Sequence, residues 1–369
     1  MKRSTNLAQV NNRRSFLRGS LATGAAVIGS TALATKTASG HQYSTPTRGD
    51  IAILRLLAAA ELIEADLWQQ YAELGGVTPG QLPVETAPFT PMNTYQAAMM
   101  NLDSDGPQYI SSNNGDEQSH AAFLNAYLES IGAERVDLDE FRNLPSSKAD
   151  GANQSIGRLT NLMNLTVDTS WYIRYRSTTN PDFGATFPQA LTLQNVPGIP
   201  RTNADFGLSN IQAIANIAAF HFGFIEQAGS SLYATLSQKV SSAEVLKITL
   251  SIGGDEIAHF LEWVDFSGNA VQPTLAPLPP ANGLPGFPNF DATVNPSLQT
   301  NLIFPVPCEF ISPHLPKCAV IRPTSPGQID AAGAINGFIA DGLFIGQSQK
   351  FINQLQTLAA EADAAQREF

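Results

Sequence analysis

Two hexapeptides of this chain, Gly115-Asp116-Glu117-Gln118-Ser119-His120 and Gly254-Asp255-Glu256-Ile257-Ala258-His259, share the pattern Gly-Asp-Glu-x-x-His. On a helix, residues three apart stand on one face, a turn apart, so each copy can offer a carboxylate oxygen and an imidazole nitrogen to one metal ion. Two copies predict two ions. A single Glu-x-x-His is equally well explained by a solvated charge and a hydrogen-bonded core histidine, so the weight rests on the elements around the pair.

Those elements read as four long amphipathic helices. The first opens at Asp50 and carries Leu54, Leu57, Glu61, Glu64, Trp68 and Tyr71 at steps of three and four; Gly75-Gly76 stops it. The second has the stripe Ile110, Asn113, Glu117, His120, Leu124, Tyr127 and Ile131. The third runs from about Ser209 to Leu236 through Phe222, Glu226 and Tyr233, and the fourth, capped by Ser241 or Ser242, through Val245, Thr249, Ile252, Glu256, His259 and Trp263. The repeat reaches into the first and third helices: Ile63-Glu64 with Tyr71-Ala72 and Leu74 matches Ile225-Glu226 with Tyr233-Ala234 and Leu236. That register names Glu64 as the counterpart of Glu226, with Glu61, one turn (~5 Å) earlier, as an alternative or additional ligand.

Four carboxylates on apolar stripes, with no Lys or Arg beside them, would cost several kcal/mol each if buried unpaired. Two divalent cations against four carboxylates and two neutral imidazoles give a neutral site, a charge balance and ligand set that point to a di-metal centre. Asp116 and Asp255 are predicted to hold a ligand imidazole in one tautomer, with an exposed Asp as the alternative. The repeated Gly115 and Gly254, each costing about 1 kcal/mol in a helix, suggest close helix approach or room at the metals. Tyr71 and Tyr233 read as core residues, with hydrogen bonding to a ligand as the alternative; His221 reads as structural, and His314 carries no signal.

Over residues 50 to 266 this arrangement of Glu, Glu-x-x-His, Glu and Glu-x-x-His resembles the ferritin-like di-iron/di-manganese carboxylate superfamily, nearest its rubrerythrin-like and desiccation-related exported branch. The resemblance implies an all-α, ferritin-like four-helix bundle with a long crossover, Pro-rich insertions and an additional C-terminal helix. It implies that Glu117 and Glu256 bridge both metals, while Glu64 with His120 and Glu226 with His259 complete the two ends. The activity implied is reaction with O₂ or H₂O₂ as a ferroxidase, a peroxidase or a manganese-catalase-like enzyme; the alternative is a non-enzymatic metal-binding or desiccation/stress protein. The sequence has no Cys-x-x-Cys iron module of the kind a full rubrerythrin carries, so electrons come from an external donor or the reaction is a dismutation. Whether a homo-oligomer forms stays open.

Asn12-Arg13-Arg14-Ser15-Phe16-Leu17-Arg18, followed by a Gly/Ala-rich run ending in Ala32-Leu33-Ala34, resembles a twin-arginine export signal. Export predicts a periplasmic or extracellular protein and an oxidising setting in which Cys308 and Cys318 form a disulfide. Cleavage after Ala34 would remove five basic residues and no acid from a chain whose formal charge is already −11. Such an acidic chain does not suit nucleic acid, and no apolar run after residue 40 is long enough to span a membrane. The predicted organisation is a signal over 1–34, a linker over 35–48, the bundle over 49–266, a Pro-rich insertion or wrapping arm over 267–325 and a helix over 326–369. One further amphipathic segment is expected at about Ile156 to Arg176, within the long connection between the second and third helices.

Overall fold

Helix α1 (Arg48–Gly75) begins at a capping box, in which the Thr47 hydroxyl accepts from the Asp50 N–H and the Asp50 carboxylate accepts from the Thr47 N–H. The helix therefore starts two residues before the expected Asp50. The same carboxylate, buried, also accepts the backbone N–H groups of Ser241 at 2.8 Å and Ser242 at 3.1 Å. One side chain thus fixes both the start of α1 and a distant turn.

In this computed structural model, residues 45–81, 90–174, 188–290, 305–306, 311–319 and 330–368 are described. The signal, most of the linker and the Cys308 partner of the expected disulfide lie outside them. Within them the chain is predominantly helical. After α1 come α2 (Thr94–Leu102), α3 (Gly106–Ser130), the short α4 (Trp171–Arg174) and α5 (Asn203–Phe206), α6 (Gln212–Ser237), α7 (Ala243–Asn269), α8 (Ala331–Ala340) and α9 (Gln349–Asp363). Two small antiparallel ladders join β1 (Leu165–Val167) to β2 (Leu193–Val196), and β3 (Pro305–Val306) to β4 (Cys318–Ala319). No described helix is long and apolar enough to cross a membrane.

The long helices form two antiparallel pairs. Arg55 of α1 meets Glu134 just beyond α3 at 3.3 Å, whereas at the opposite end Val77 donates to Ser111 of α3 at 2.9 Å. In the second pair Ser237 of α6 bonds Thr249 of α7 at 2.8 Å, and Ser267 donates to the Ala219 carbonyl at 2.7 Å. Close approach of α6 and α7 needs Gly253, where a β-carbon would lie 2.7 Å from that of Tyr233. The pairs meet over an aromatic layer: Trp68 stacks on Trp263 with ring centroids 5.2 Å apart, and Phe222 sits 4.7 Å from each. Such contacts add about 0.5–1.5 kcal/mol apiece to the burial of the rings.

Within the connection from α3 to α6, the described residues of the expected amphipathic segment at about Ile156 to Arg176 hold strand β1 and the single turn α4. The backbone N–H groups of Leu159 and Thr160 both bond Asp66 of α1 at 3.0 Å, so a carboxylate takes the donors that a helix would turn inward. Trp171 then packs on Gly223 of α6, where a β-carbon would come within 2.4 Å of its ring.

The C-terminal pattern is two helices rather than one. Gly342 and Gly346 have φ of +84° and +95°, conformations open to glycine, and turn the chain between them. Asp330 caps α8 and Ser348 caps α9, which packs on α1. Of the Pro-rich arm, Phe287 and Phe290 are buried, beside Phe220 and Tyr172.

Candidate metal centre

Each long helix contributes buried acids or imidazoles to one place. Glu61 and Glu64 come from α1, Glu117 and His120 from α3, Glu226 from α6, and Glu256 and His259 from α7; none is more than 8% exposed. Glu226 and Glu256 are drawn to one level by the short turn of the α6–α7 pair. Gly229 makes room there, since a β-carbon on it would stand 2.0 Å from Glu256 Oε2.

Both imidazoles point Nδ1 inward. His120 Nδ1 lies 3.3 Å from Glu117, 3.4 Å from Glu61 and 3.6 Å from Glu256. His259 Nδ1 lies 3.1 Å from Glu117 and 3.4 Å from Glu226. Glu117 faces His120 with Oε2 and His259 with Oε1, so this one carboxylate spans the two halves. Two sets follow, Glu61/Glu117/His120/Glu256 and Glu117/Glu226/Glu256/His259, each with its ligand atoms within 4.8 Å of one another. Glu117 and Glu256 belong to both.

The outer nitrogens meet aspartates from the opposite helix. His120 Nε2 is 3.2 Å from Asp255, and His259 Nε2 is 3.5 Å from Asp116. The two copies of the motif therefore exchange partners across the α3–α7 seam, in line with the expected support of the imidazoles.

Burial is the main cause of the raised pKa at Glu64, Glu117 and Glu256. Glu117 is pushed up to about 8, by burial first and then by Glu61, against the neighbouring imidazoles of His120 and His259. Glu64 and Glu256 are raised well above the usual range by burial, with further push from Glu117. Burial alone would depress His120, yet the carboxylates of Asp255, Glu117 and Glu61 around the ring carry it up to about 12. His259 is raised likewise, by Glu226 first among the opposing influences. Without a cation, protons must balance the charge.

The donor set fits a metal. Glu61 Oε2, Glu117 Oε1, Glu226 Oε2, both oxygens of Glu256 and both ring nitrogens of His259 are buried and make no hydrogen bond. Unmet acceptors of this kind cost about 1–3 kcal/mol each, more when charged, and divalent cations would satisfy them together.

Glu61, rather than Glu64, enters the four-residue sets, contrary to the register drawn from the Tyr-Ala match. Glu64 is buried beside the cluster, outside both sets. The reason lies seven residues on. Trp68 donates its indole N–H to Glu226 at 2.8 Å, and Tyr233 donates its hydroxyl to Glu61. Glu61/Trp68 is thus the counterpart of Glu226/Tyr233, whereas Tyr71 turns to His221 Nδ1 at 2.8 Å and has no bond to the centre. His221 is structural, its Nε2 lying 2.9 Å from Asp341. Gly115 and Gly254 are also corrected: both are exposed and a β-carbon on either would meet nothing within 4 Å, so close approach belongs to Gly229 and Gly253.

Three participants escaped the sequence pattern. Trp68 and Asn113, which donates to Glu226 at 3.4 Å, look like ordinary stripe residues. Glu262, one turn beyond His259, is mostly buried and pushed up to about 8 by burial, Glu226 adding to the shift and His259 opposing it. The continuing three-residue spacing Glu256, His259, Glu262 was its available signal. No protein-family model matches the chain, and comparison with curated proteins and with solved structures gives no match either.

Proposed function

We propose that this chain is an exported ferritin-like four-helix protein that binds a pair of Fe or Mn ions and reacts with O₂ or H₂O₂. The observation that supports it is the pair of overlapping buried ligand sets with their unmet oxygens and nitrogens. Glu61 with His120, and Glu226 with His259, would hold the separate ions, with Glu117 and Glu256 shared between them. Once bound, such a pair supplies two one-electron changes of oxidation state, matching a two-electron oxidant.

The protein's own part is positioning and proton control. Trp68 and Asn113 hold one oxygen of Glu226, leaving the other turned to His259. Tyr233 does the same for Glu61, whose free oxygen faces His120. Asp255 and Asp116, at the outer Nε2 atoms, favour the tautomer whose inner lone pair points to the centre. Glu64 and Glu262, both raised in pKa by burial, can hold protons beside the reacting site. The Trp68/Trp263/Phe222 layer keeps bulk water from one side.

The test is elemental analysis of the purified protein, followed by peroxide consumption with and without an electron donor. Two Fe or Mn per chain with donor-independent decay identifies a dismutase; donor-dependent decay identifies a peroxidase. Two ions with no consumption of O₂ or peroxide would replace this reading with the non-enzymatic metal-binding one, and a chain without metal would end both.

A further inference from the structure

The outer side of the imidazoles does more than meet two supports. His259 Nε2 has two aspartates about it, Asp116 Oδ2 at 3.5 Å and Asp255 Oδ2 at 3.7 Å, and three ligand atoms from these residues lie within 4.8 Å of one another. That nitrogen is buried and makes no hydrogen bond, although it is directed at both carboxylates. The aspartates, in contrast, are 43% and 46% exposed. Each follows a glycine on which a β-carbon would meet nothing within 4 Å among the described residues.

A single aspartate is enough to orient an imidazole. Two of them reach a buried, unbonded nitrogen from the solvent side, Asp255 Oδ2 lying also 3.2 Å from His120 Nε2, and together they concentrate negative charge where a cation from solvent arrives first. We propose that Asp116, Asp255 and His259 Nε2 form a solvent-facing station for a divalent cation on the α3–α7 seam, through which metal reaches the buried centre. This rests on the reading that the inner cluster holds metal. A neutral imidazole has one lone pair, so His259 serves the station or the centre at a given moment. The station therefore empties as the centre fills, and its signature is the rate of loading rather than the final stoichiometry.

The experiment mixes chelator-stripped protein with Co²⁺ and follows the visible absorption of the bound ion. For Asp116→Asn/Asp255→Asn the loading rate constant should fall on the order of tenfold and lose most of its dependence on salt, while two ions still bind at the end. Aspartates that only support the imidazoles would instead speed release and leave loading unchanged, and that result overturns the proposal. A second arm isolates the station from the inner reading. Glu117→Gln/Glu256→Gln, with the inner sets disabled, should still bind one Co²⁺ weakly, and adding the two Asp→Asn changes should abolish it; no Co²⁺ bound by the first of these variants, or no loss in the second, also overturns it.

Discussion

Tyr233 on α6 donates its hydroxyl to Glu61 on α1, and the indole of Trp68, seven residues after Glu61, donates to Glu226, seven residues before Tyr233. Each ligand carboxylate is thus held by an aromatic donor from the other's helix. The exchange sets the true register of the internal repeat.

From that register, Glu61→Gln is expected to lose one of the two ions, whereas Glu64→Gln should keep both. Elemental analysis after equilibrium dialysis reads the difference. Retention of both ions by Glu61→Gln would return the ligand role to Glu64.

The donors should matter without touching metal. Tyr233→Phe and Trp68→Phe keep a ring in the core and remove one hydrogen bond each, which costs about 1 kcal/mol of stability. Each is expected to weaken retention of one ion by roughly 10- to 100-fold. Chelator competition measures this, and unchanged retention in both variants would deny the link.

Metal removal should make stability depend on pH in a definite direction. Glu117 and Glu262 rise from 4.5 to about 8 in the folded, metal-free chain, so the folded state holds more protons than the unfolded state across that interval. Their contribution is full below pH 4.5 and is lost as pH rises through about 8. Metal-free protein should melt lower at pH 8 than at pH 5, and added metal should raise the melting temperature most at the higher pH, releasing protons as it binds. Thermal melts followed by circular dichroism test both; a metal-free form that is more stable at pH 8 would show the acids to be solvated.

Two kinds of glycine should respond oppositely. Gly229→Ala drives a methyl group into Glu256 and should cost about 1–3 kcal/mol, with loss of metal. Gly254→Ala, on an open helix face, should stabilise by roughly 0.5–1 kcal/mol. Chemical denaturation of the two variants compares them directly.

That contrast also shows what the sequence could convey. The helices, the Ser242 cap and five of the six residues of the two ligand sets were legible, because carboxylates on an apolar stripe conflict with burial unless something compensates them. The sixth, Glu61, was visible as an alternative and then outweighed by a Tyr-Ala coincidence. Side-chain chemistry misled there: an indole and a phenol are equivalent as donors, yet as letters Tyr71 matched Tyr233 and Trp68 did not. In segment 156 to 176 the conformation was not legible for a different reason, since the N–H groups of Leu159 and Thr160 are claimed by Asp66, far away in sequence. Periodicity carries no information about such a partner.

The contact between His221 and Asp341 has a consequence for the order of events during synthesis. All four long helices are complete by Asn269, yet an imidazole in the middle of α6 meets its carboxylate only when residue 341 has been made. Until then Tyr71 holds Nδ1 of this imidazole, but its Nε2 lacks the carboxylate it meets in the complete fold, at a fully buried position five residues from Glu226. That pairing is therefore made only after the four long helices, and truncation before residue 341 is expected to lower the stability of α6.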